Sequence, residues 1–221
     1  MLKMSLGKQD QSEPKHVLCL GAHSDDIEIG CGGTILRLIE EYPHLCITWI
    51  VFGASGIRAD EALQSADRLL KGVSEKRVEI KGFRDGYFPY IGGEIKDYFE
   101  GLKQMVSPDL IFTHYRHDLH QDHRLISELT WNTFRDHFIL EYEVPKYDGD
   151  LGSPNLFIHL DEKASAHKID HVMACFKSQA DKHWFTADTF WSLLRLRGIE
   201  SGSGSKYAEA YYCRKIIFGQ G

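Results

Sequence analysis

The sequence predicts an α/β fold with a mostly parallel sheet. Short apolar runs, typical of buried strands, occupy residues 17–20, 46–52, 77–80 and 110–113. Amphipathic patterns typical of helices lie between them, at 34–41, at 59–70 and in a segment that ends at Met105. Because strands that alternate with helices of this length form βαβ units, these strands are expected to run parallel.

The second half of the chain continues the pattern with shorter elements. Strands are predicted at 138–140, 156–158 and 210–218, and helices at 162–176 and 190–196. The first helix is expected to start only after the glycines at 30, 32 and 33, which are interpreted as a turn. The glycine- and serine-rich segment 198–205 is expected to be flexible, and either to border the substrate entrance or to be a solvated connector without a role.

Composition favours one cytoplasmic domain. A length of 221 residues with 43% hydrophobic content supports a single core at 16–221, preceded by a polar, disordered lead-in at 1–15. A net charge of −6 without a basic block argues against nucleic-acid binding. Five scattered cysteines indicate reduced, mostly buried thiols, and no apolar stretch is long enough to span a membrane.

The first candidate for chemistry directly follows the first predicted strand. His23, Asp25 and Asp26 lie there, at the strand end where open α/β folds place their sites. A histidine and a carboxylate three residues apart, as His23 and Asp26 are, can converge on one metal ion in a tight turn. Taken alone, an Asp-rich turn is equally consistent with a solvated helix cap, and Glu28 is interpreted as a helix-start carboxylate.

A second cluster follows the predicted strand at 110–113. Segment 114–124 contains four histidines and two aspartates. A catalytic metal needs a third protein ligand and an open position for water, and this cluster is where that ligand is expected. By itself a His-rich loop is as consistent with solvated surface, the interpretation given to His114 and His117. Two such clusters at two strand ends favour a metal site.

Both clusters resemble the motifs of one family. The stretch AHSDDIEIG at 22–30 resembles the A-H-P-D-D-x-E-x-G signature of the PIG-L/LmbE family of zinc-dependent N-deacetylases, and DLHQDH at 118–123 resembles its D-x-H-x-D-H motif. Shorter matches lie at 58–61, 85–86, 177–179, 197–198 and 207–210. Ser24 and Gln121 stand where the family usually has proline, which affects loop rigidity but removes no ligand, acid or base.

The resemblance implies a Rossmann-like three-layer sandwich of the LmbE type and a set of site residues. The metal ligands it assigns are His23, Asp26 and His123. The cofactor would be Zn²⁺, with another divalent ion such as Fe²⁺ as the alternative. Asp25 would be the general base. His120 would be protonated and stabilise the oxyanion, and Asp122 would orient His120 through a hydrogen bond.

The resemblance also implies a substrate class. Arg58 and Asp85 match positions that contact substrate in the family, and a surface ion pair is the alternative explanation for both. The expected activity is hydrolysis of a linear amide bond, which removes acetyl from an N-acetylglucosamine-type amino sugar or glycoside. The expected partner is this small molecule, with no nucleic acid and no membrane span, and a homo-oligomer is left open.

Other functions fit the sequence less well. A nicotinamide-binding enzyme would need G-x-G-x-x-G after the first strand, which this chain lacks. Fe(II) oxygenases of the 2-oxoglutarate type use H-x-D spacing on a jelly roll, whereas here the spacing is H-x-x-D on an α/β pattern. A metal-dependent amidase for a non-sugar N-acyl substrate remains an alternative. A non-catalytic carbohydrate-binding protein is the other, and the presence of Asp25 argues against it.

Overall fold

The structure is a computed structural model that describes residues 15–217. Within this range the strands are β1 (His16–Gly21), β2 (Cys46–Val51), β3 (Glu75–Ile80), β4 (Leu110–His114), β5 (Phe138–Tyr142), β6 (Leu156–Leu160) and β7 (Tyr207–Cys213). The helices are α1 (Asp26–Glu41), α2 (Ile57–Leu69), α3 (Gly92–Met105), α4 (Gln121–Thr133), α5 (Glu162–Cys175) and α6 (Ala187–Glu200), with 3₁₀ turns at Phe88–Ile91 and Lys177–Gln179. The predicted lead-in lies outside the described residues except for Lys15, and so does Phe218 at the predicted end of the last strand.

The strands form one sheet in the order β3-β2-β1-β4-β5-β7-β6. Strands β1 to β5 pair in parallel, and β7 pairs antiparallel with both β5 and β6. The predicted α/β class with a mostly parallel sheet is confirmed. The sheet is buried on both faces along β1, because Val17 and Cys19 join one core while Leu18 and Leu20 join the other.

Helices cover the two faces in separate layers. The core on one face is formed with α1, α2, α5 and α6, and the core on the other with α3 and α4. Cys19, Cys31 and Cys175 are buried as free thiols, as predicted. Within residues 15–217, none of the helices is both long and apolar enough to cross a bilayer.

Helix α1 begins at Asp26, eight residues before the predicted start at Thr34. The glycines interpreted as a turn lie inside this helix. A Cβ atom on Gly30 would lie 2.1 Å from Cδ2 of the buried Tyr142, so glycine is required there for close packing rather than for a turn. The early start matters for function, because it places Asp26 in the first turn of the helix beside His23.

Gly30→Ala is expected to destabilise the protein by about 1–3 kcal/mol, the usual cost of overpacking a core. The matched control is Gly101→Ala in α3, where an added Cβ would meet no atom within 4 Å. That change should stabilise the helix by about 0.5–1 kcal/mol. Thermal or urea unfolding of both variants measures the difference, and equal effects would contradict the packing of Tyr142 against α1.

The match at 207–210 has a structural role. Glu209 is buried, and its carboxylate accepts hydrogen bonds from the backbone N–H groups of Gly33 (2.9 Å) and Thr34 (2.7 Å) inside α1. The ammonium of Lys168 donates to the same carboxylate at 2.5 Å and to the carbonyl of Ile29 at 2.7 Å. These contacts attach α1 to β7 and α5.

Segment 198–205 is more ordered than predicted. Its first three residues form the end of α6, and a Cβ on Gly198 would lie 2.0 Å from the carbonyl oxygen of Lys206. The N–H of Ser203 donates to the carbonyl of Gly198 at 2.9 Å, which closes the turn. The segment is not among the residues that line the cavity described below, so its place at the substrate entrance stays a prediction.

Candidate active site

The two polar clusters meet at the carboxyl ends of β1 and β4. These strands are neighbours although β2 and β3 separate them in sequence, so the strand order reverses at this point. Such a reversal leaves a crevice in which α/β proteins bind ligands. The two clusters are joined directly, because the N–H of Ala22 after β1 donates to Nε2 of His114 in β4 at 2.9 Å.

The three predicted metal ligands converge. Nδ1 of His23 lies 3.1 Å from Nε2 of His123 and 3.4 Å from Oδ2 of Asp26, and the last two atoms are 3.5 Å apart. A tetrahedral zinc ion with bonds of about 2.0–2.1 Å separates its ligands by roughly 3.3–3.5 Å. All three side chains are buried. Two imidazoles and one carboxylate at this spacing therefore fit a divalent metal, and three protein ligands is the number typical of a catalytic site.

Both predicted histidine ligands have a carboxylate partner on the ring nitrogen that faces away from the other ligands. Nδ1 of His123 lies 2.9 Å from Oδ2 of Asp118, so Nε2 is left with a lone pair for a metal. Burial and the neighbouring His114 lower the pKa of His123 to about 3, which keeps this ring neutral. Nε2 of His23 lies 3.2 Å from Oδ2 of Asp122. Carboxylate partners of this kind fix the tautomer and orientation of metal-binding histidines.

The predicted hydrogen bond from Asp122 to His120 is wrong. The carboxylate of Asp122 instead contacts His23 and accepts the backbone N–H groups of Gly86 (2.6 Å) and Phe88 (3.1 Å). It is the backbone N–H of Asp122 that reaches His120, where it donates to Nδ1 at 3.3 Å as the cap of α4. Asp122 therefore orients a predicted metal ligand and the loop after β3.

His120 lies beside the predicted ligands, in surroundings that favour its neutral form. One of its ring nitrogens is within 4.8 Å of nitrogens of both His23 and His123. Burial, together with the charge of His23, lowers the pKa of His120, contrary to the expectation of a protonated ring. Because Nδ1 accepts the N–H of Asp122, the single proton of the neutral ring is on Nε2. His120 can therefore donate one hydrogen bond without a positive charge.

Asp25 has the features of a general base. Its side chain is buried beside Asp26, and its Oδ2 has no hydrogen-bond partner within the described part of the chain. Burial and the negative charge of Asp26 raise the pKa of Asp25 to about 6. A carboxylate with a free oxygen and a pKa near neutrality is suited to accept a proton from water.

Arg58 and Asp85 form an ion pair at the edge of the site. Nη1 of Arg58 lies 2.6 Å from Oδ2 of Asp85, and Oδ1 of Asp85 lies 3.1 Å from Nε2 of His23. The hydrogen bond with His23 is the main reason that the pKa of Asp85 lies well below its ordinary value. The pair is therefore more than a surface contact, since it links the opening of the site to a predicted ligand.

Two interpretations of single residues are corrected by burial. His114 was expected to be solvated but is fully buried, with its ring stacked on His123 at a centroid distance of 3.9 Å. Glu28 lies in the first turn of α1, as expected, but is buried and accepts a hydrogen bond from Ser65. Burial raises the pKa of Glu28 to about 8. His117 is exposed, as predicted.

Sequence reasoning missed Asp118 and Lys146. Asp118 is the first aspartate of the D-x-H-x-D-H motif, and its position in that motif was the available signal. Lys146 lies in the loop after β5, and its ammonium is 2.8 Å from Oδ2 of Asp118. The sequence around Lys146 gives no sign of this contact, which depends on the neighbouring positions of β4 and β5 in the sheet.

These residues surround a small cavity. Its volume is about 190 Å³, or roughly six water molecules at about 30 Å³ each. The lining consists of His23, Asp25, Asp26, Arg58, Asp85, His120, His123, Val144, Lys146, Tyr147, Asp148, Lys182 and Trp184. A larger depression of about 830 Å³ lies at the ends of α3 and α4 and contains none of the predicted site residues.

Comparison with known proteins shows the same fold in enzymes of different activity. An Escherichia coli K12 protein named "Uncharacterized deacetylase YaiS" is 26% identical over 138 residues, which is 59% of this chain and 75% of that protein. The structure of N,N'-diacetylchitobiose deacetylase from Pyrococcus horikoshii has a TM-score of 0.67 at 20% identity and covers 91% of this chain and 84% of its own. GalB, the 4-carboxy-2-hydroxymuconate hydratase of Pseudomonas putida KT2440, has a TM-score of 0.71 at 16% identity and covers 94% and 99%. At these identities the two structures establish the fold, and a fold alone does not fix the reaction.

The family is established by sequence. Residues 18–134, more than half of the chain, match the PIG-L family, described as GlcNAc-PI de-N-acetylase. The matched region extends from β1 to the end of α4 and contains both polar clusters. The chain belongs to the PIG-L family of de-N-acetylases, which are hydrolases of linear amide bonds.

Proposed function

We propose that this protein is a metal-dependent N-deacetylase that removes acetyl from an N-acetylglucosamine-type amino sugar or glycoside. One observation carries the proposal: the imidazole and carboxylate atoms of His23, Asp26 and His123 lie 3.1–3.5 Å apart. Asp25, which is adjacent to Asp26 in sequence, has a carboxylate oxygen without a hydrogen-bond partner in the described part of the chain. A ligand set and a base side by side are what water-dependent amide cleavage requires.

The ligand set suits zinc, with Fe²⁺ as the alternative. When bound, the divalent ion would polarise the acetyl carbonyl and lower the pKa of water towards about 7. His23, Asp26 and His123 would hold it. Asp118 and Asp122 would keep the two imidazoles in the required orientation, since each carboxylate contacts the ring nitrogen that faces away from the metal.

Asp25 would move the proton. Its carboxylate accepts a proton from water while the water oxygen bonds to the acetyl carbon. The same proton then passes to the amide nitrogen as the C–N bond breaks, so the products are a free amine and acetic acid, which ionises to acetate. The partial positive charge at the start of α1 and the nearby Arg58 favour the ionised form of Asp25 before each turnover.

His120 would stabilise the negative charge that develops on the carbonyl oxygen. The N–H at its Nε2 is the donor, and the backbone N–H of Asp122 fixes the other ring nitrogen. The ring is therefore held in one tautomer before substrate arrives. A preorganised neutral donor is sufficient for this role, as backbone N–H groups in oxyanion holes demonstrate.

The sugar part of the substrate would lie against Arg58 and Asp85. The guanidinium offers donors and the carboxylate offers acceptors at the edge of the cavity. The two groups are held by each other and by His23, so hydroxyl groups would meet donors and acceptors already in place. A cavity of about 190 Å³ is comparable in size with a single sugar unit, which favours a small N-acetylated substrate.

An acetate-release screen tests the proposal. The zinc-loaded protein is incubated with N-acetylglucosamine, its β-methyl glycoside, N,N'-diacetylchitobiose and, as non-sugar amides, N-acetylated amino acids. Acetate and free amine should appear in equal amounts from at least one sugar. Release from the amino acids alone would favour the amidase alternative and contradict the sugar assignment.

A further inference from the structure

The loop after β5 is attached to the candidate metal centre through one buried lysine. The side chain of Lys146 is 8% exposed and lies between two carboxylates that are 2% and 5% exposed. Its ammonium is 2.8 Å from Oδ2 of Asp118, 2.6 Å from Oδ2 of Asp150 and 3.2 Å from the carbonyl oxygen of Val144. Three acceptors match its three N–H groups. Lys146 is therefore fully engaged within the protein, although it lines the cavity.

The decisive atom is Oδ2 of Asp118. The same oxygen that accepts from Lys146 lies 2.9 Å from Nδ1 of His123, whose other nitrogen faces Asp26 and His23. The ammonium of Lys146 therefore holds Oδ2 of Asp118 in place, and this oxygen in turn orients the ring of His123.

The loop is held at several other points. Oδ2 of Asp150 also accepts the N–H of Leu119, which lies between Asp118 and His120 in the second motif. At the far end of the loop, Arg197 donates to the carbonyl oxygen of Gly152 at 3.1 Å. Tyr147 follows Lys146 in sequence, lines the cavity, and accepts the N–H of His183 at 3.3 Å. A shift of Lys146 would thus move a wall of the cavity as well as Asp118.

We propose that Lys146 is a positioning residue that couples the proposed metal ligand His123 to the loop 143–152, in which Val144, Tyr147 and Asp148 line the cavity. The proposal rests on the metal centre of the proposed function. It assigns Lys146 no contact with the reacting atoms. Its loss would weaken metal binding through Asp118 and loosen the wall that carries Tyr147.

Cobalt binding tests the proposal without any substrate. Co²⁺ at a site with imidazole ligands absorbs visible light, and its spectrum reports the ligand geometry. Lys146→Met should weaken Co²⁺ binding by about 10- to 100-fold, the usual effect of removing a partner behind a ligand, and should change the visible spectrum. Lys146→Arg, which keeps the charge, should restore most of the affinity. The matched control is Lys76→Met, which removes a lysine paired with Asp67 at 3.0 Å on the surface and should change neither quantity.

Asp150→Asn separates the effect of Lys146 on the loop 143–152 from its effect on Asp118 and His123. This change weakens the hold on the loop but leaves the contact between Lys146 and Asp118 in place. Its Co²⁺ spectrum should resemble that of the wild type, while amide exchange of residues 143–152 should become faster. In Lys146→Met both quantities should change.

Unaltered cobalt affinity and spectrum in a folded Lys146→Met would overturn the proposal. If that variant does not fold, Lys146→Gln, which also removes the charge, is measured by the same criteria. A Co²⁺ spectrum that is the same in His123→Ala as in the wild type would contradict the metal centre itself. That outcome would overturn both proposals, whereas the first outcome would leave the proposed function intact.

Discussion

Asp25→Asn is expected to lower kcat by about 10²- to 10⁴-fold, the usual contribution of a general acid or base. Asparagine has nearly the same shape as aspartate but cannot accept the proton of water. Because Asp25 is not among the three proposed ligands, bound metal should remain close to one equivalent. Steady-state kinetics with parallel metal analysis measures both quantities.

The pH profile gives a second test of Asp25. Burial and Asp26 raise its pKa to about 6, and a base must be ionised to act, so activity should fall as pH falls through this pKa. A bound cation lowers the pKa of a neighbouring carboxylate, which moves this acid limb to pH 6 or below. Asp25→Asn should remove the limb from its residual activity. The contrasting variant is Asp26→Ala, which should lose metal, and equal metal loss in both variants would contradict the division of roles.

His120→Ala is expected to lower kcat by about 10²- to 10³-fold with metal retained, in the range found when one oxyanion-hole donor is removed. KM should change much less, because the hydrogen bond strengthens only as charge develops in the transition state. Metal loss in His120→Ala would instead identify this residue as a ligand, a result consistent with the proximity of its ring to His23 and His123.

Asp122→Asn distinguishes the contacts found in the structure from those predicted. Since the carboxylate of Asp122 contacts His23, Gly86 and Phe88, the variant should weaken metal binding by about 10- to 100-fold. If Asp122 acted through His120, metal binding would be unchanged and only kcat would fall. Equilibrium dialysis with zinc therefore separates the two arrangements.

The fold was largely predictable because the central strands β1, β2 and β4 are buried on both faces. A run such as 17–20 must be buried in both directions, which only a sheet covered by two helix layers provides. The start of α1 was not predictable. Gly30 leaves room for the ring of Tyr142, a residue 112 positions further along the chain. No local sequence pattern distinguishes a glycine required for such packing from a glycine in a turn.

The site was predictable at the level of residue type and motif spacing. His23, Asp26 and His123 converge because parallel strands bring their carboxyl ends to one edge. The carboxylate partners of the two histidines were not predictable, since they depend on how the loop before α4 and the first turn of this helix are oriented. Asp122 lies two residues after His120 in sequence, yet its carboxylate faces the loop after β3.

The most direct test of the metal-dependent hydrolysis is the activity of the metal-free protein. The protein is dialysed against a chelator, its metal content is measured, and acetate release is followed before and after addition of one equivalent of Zn²⁺. The chelated protein should be folded, because the two cores do not depend on the metal. It should have no measurable turnover, and zinc should restore it. Full turnover by protein verified to be free of metal would contradict the account.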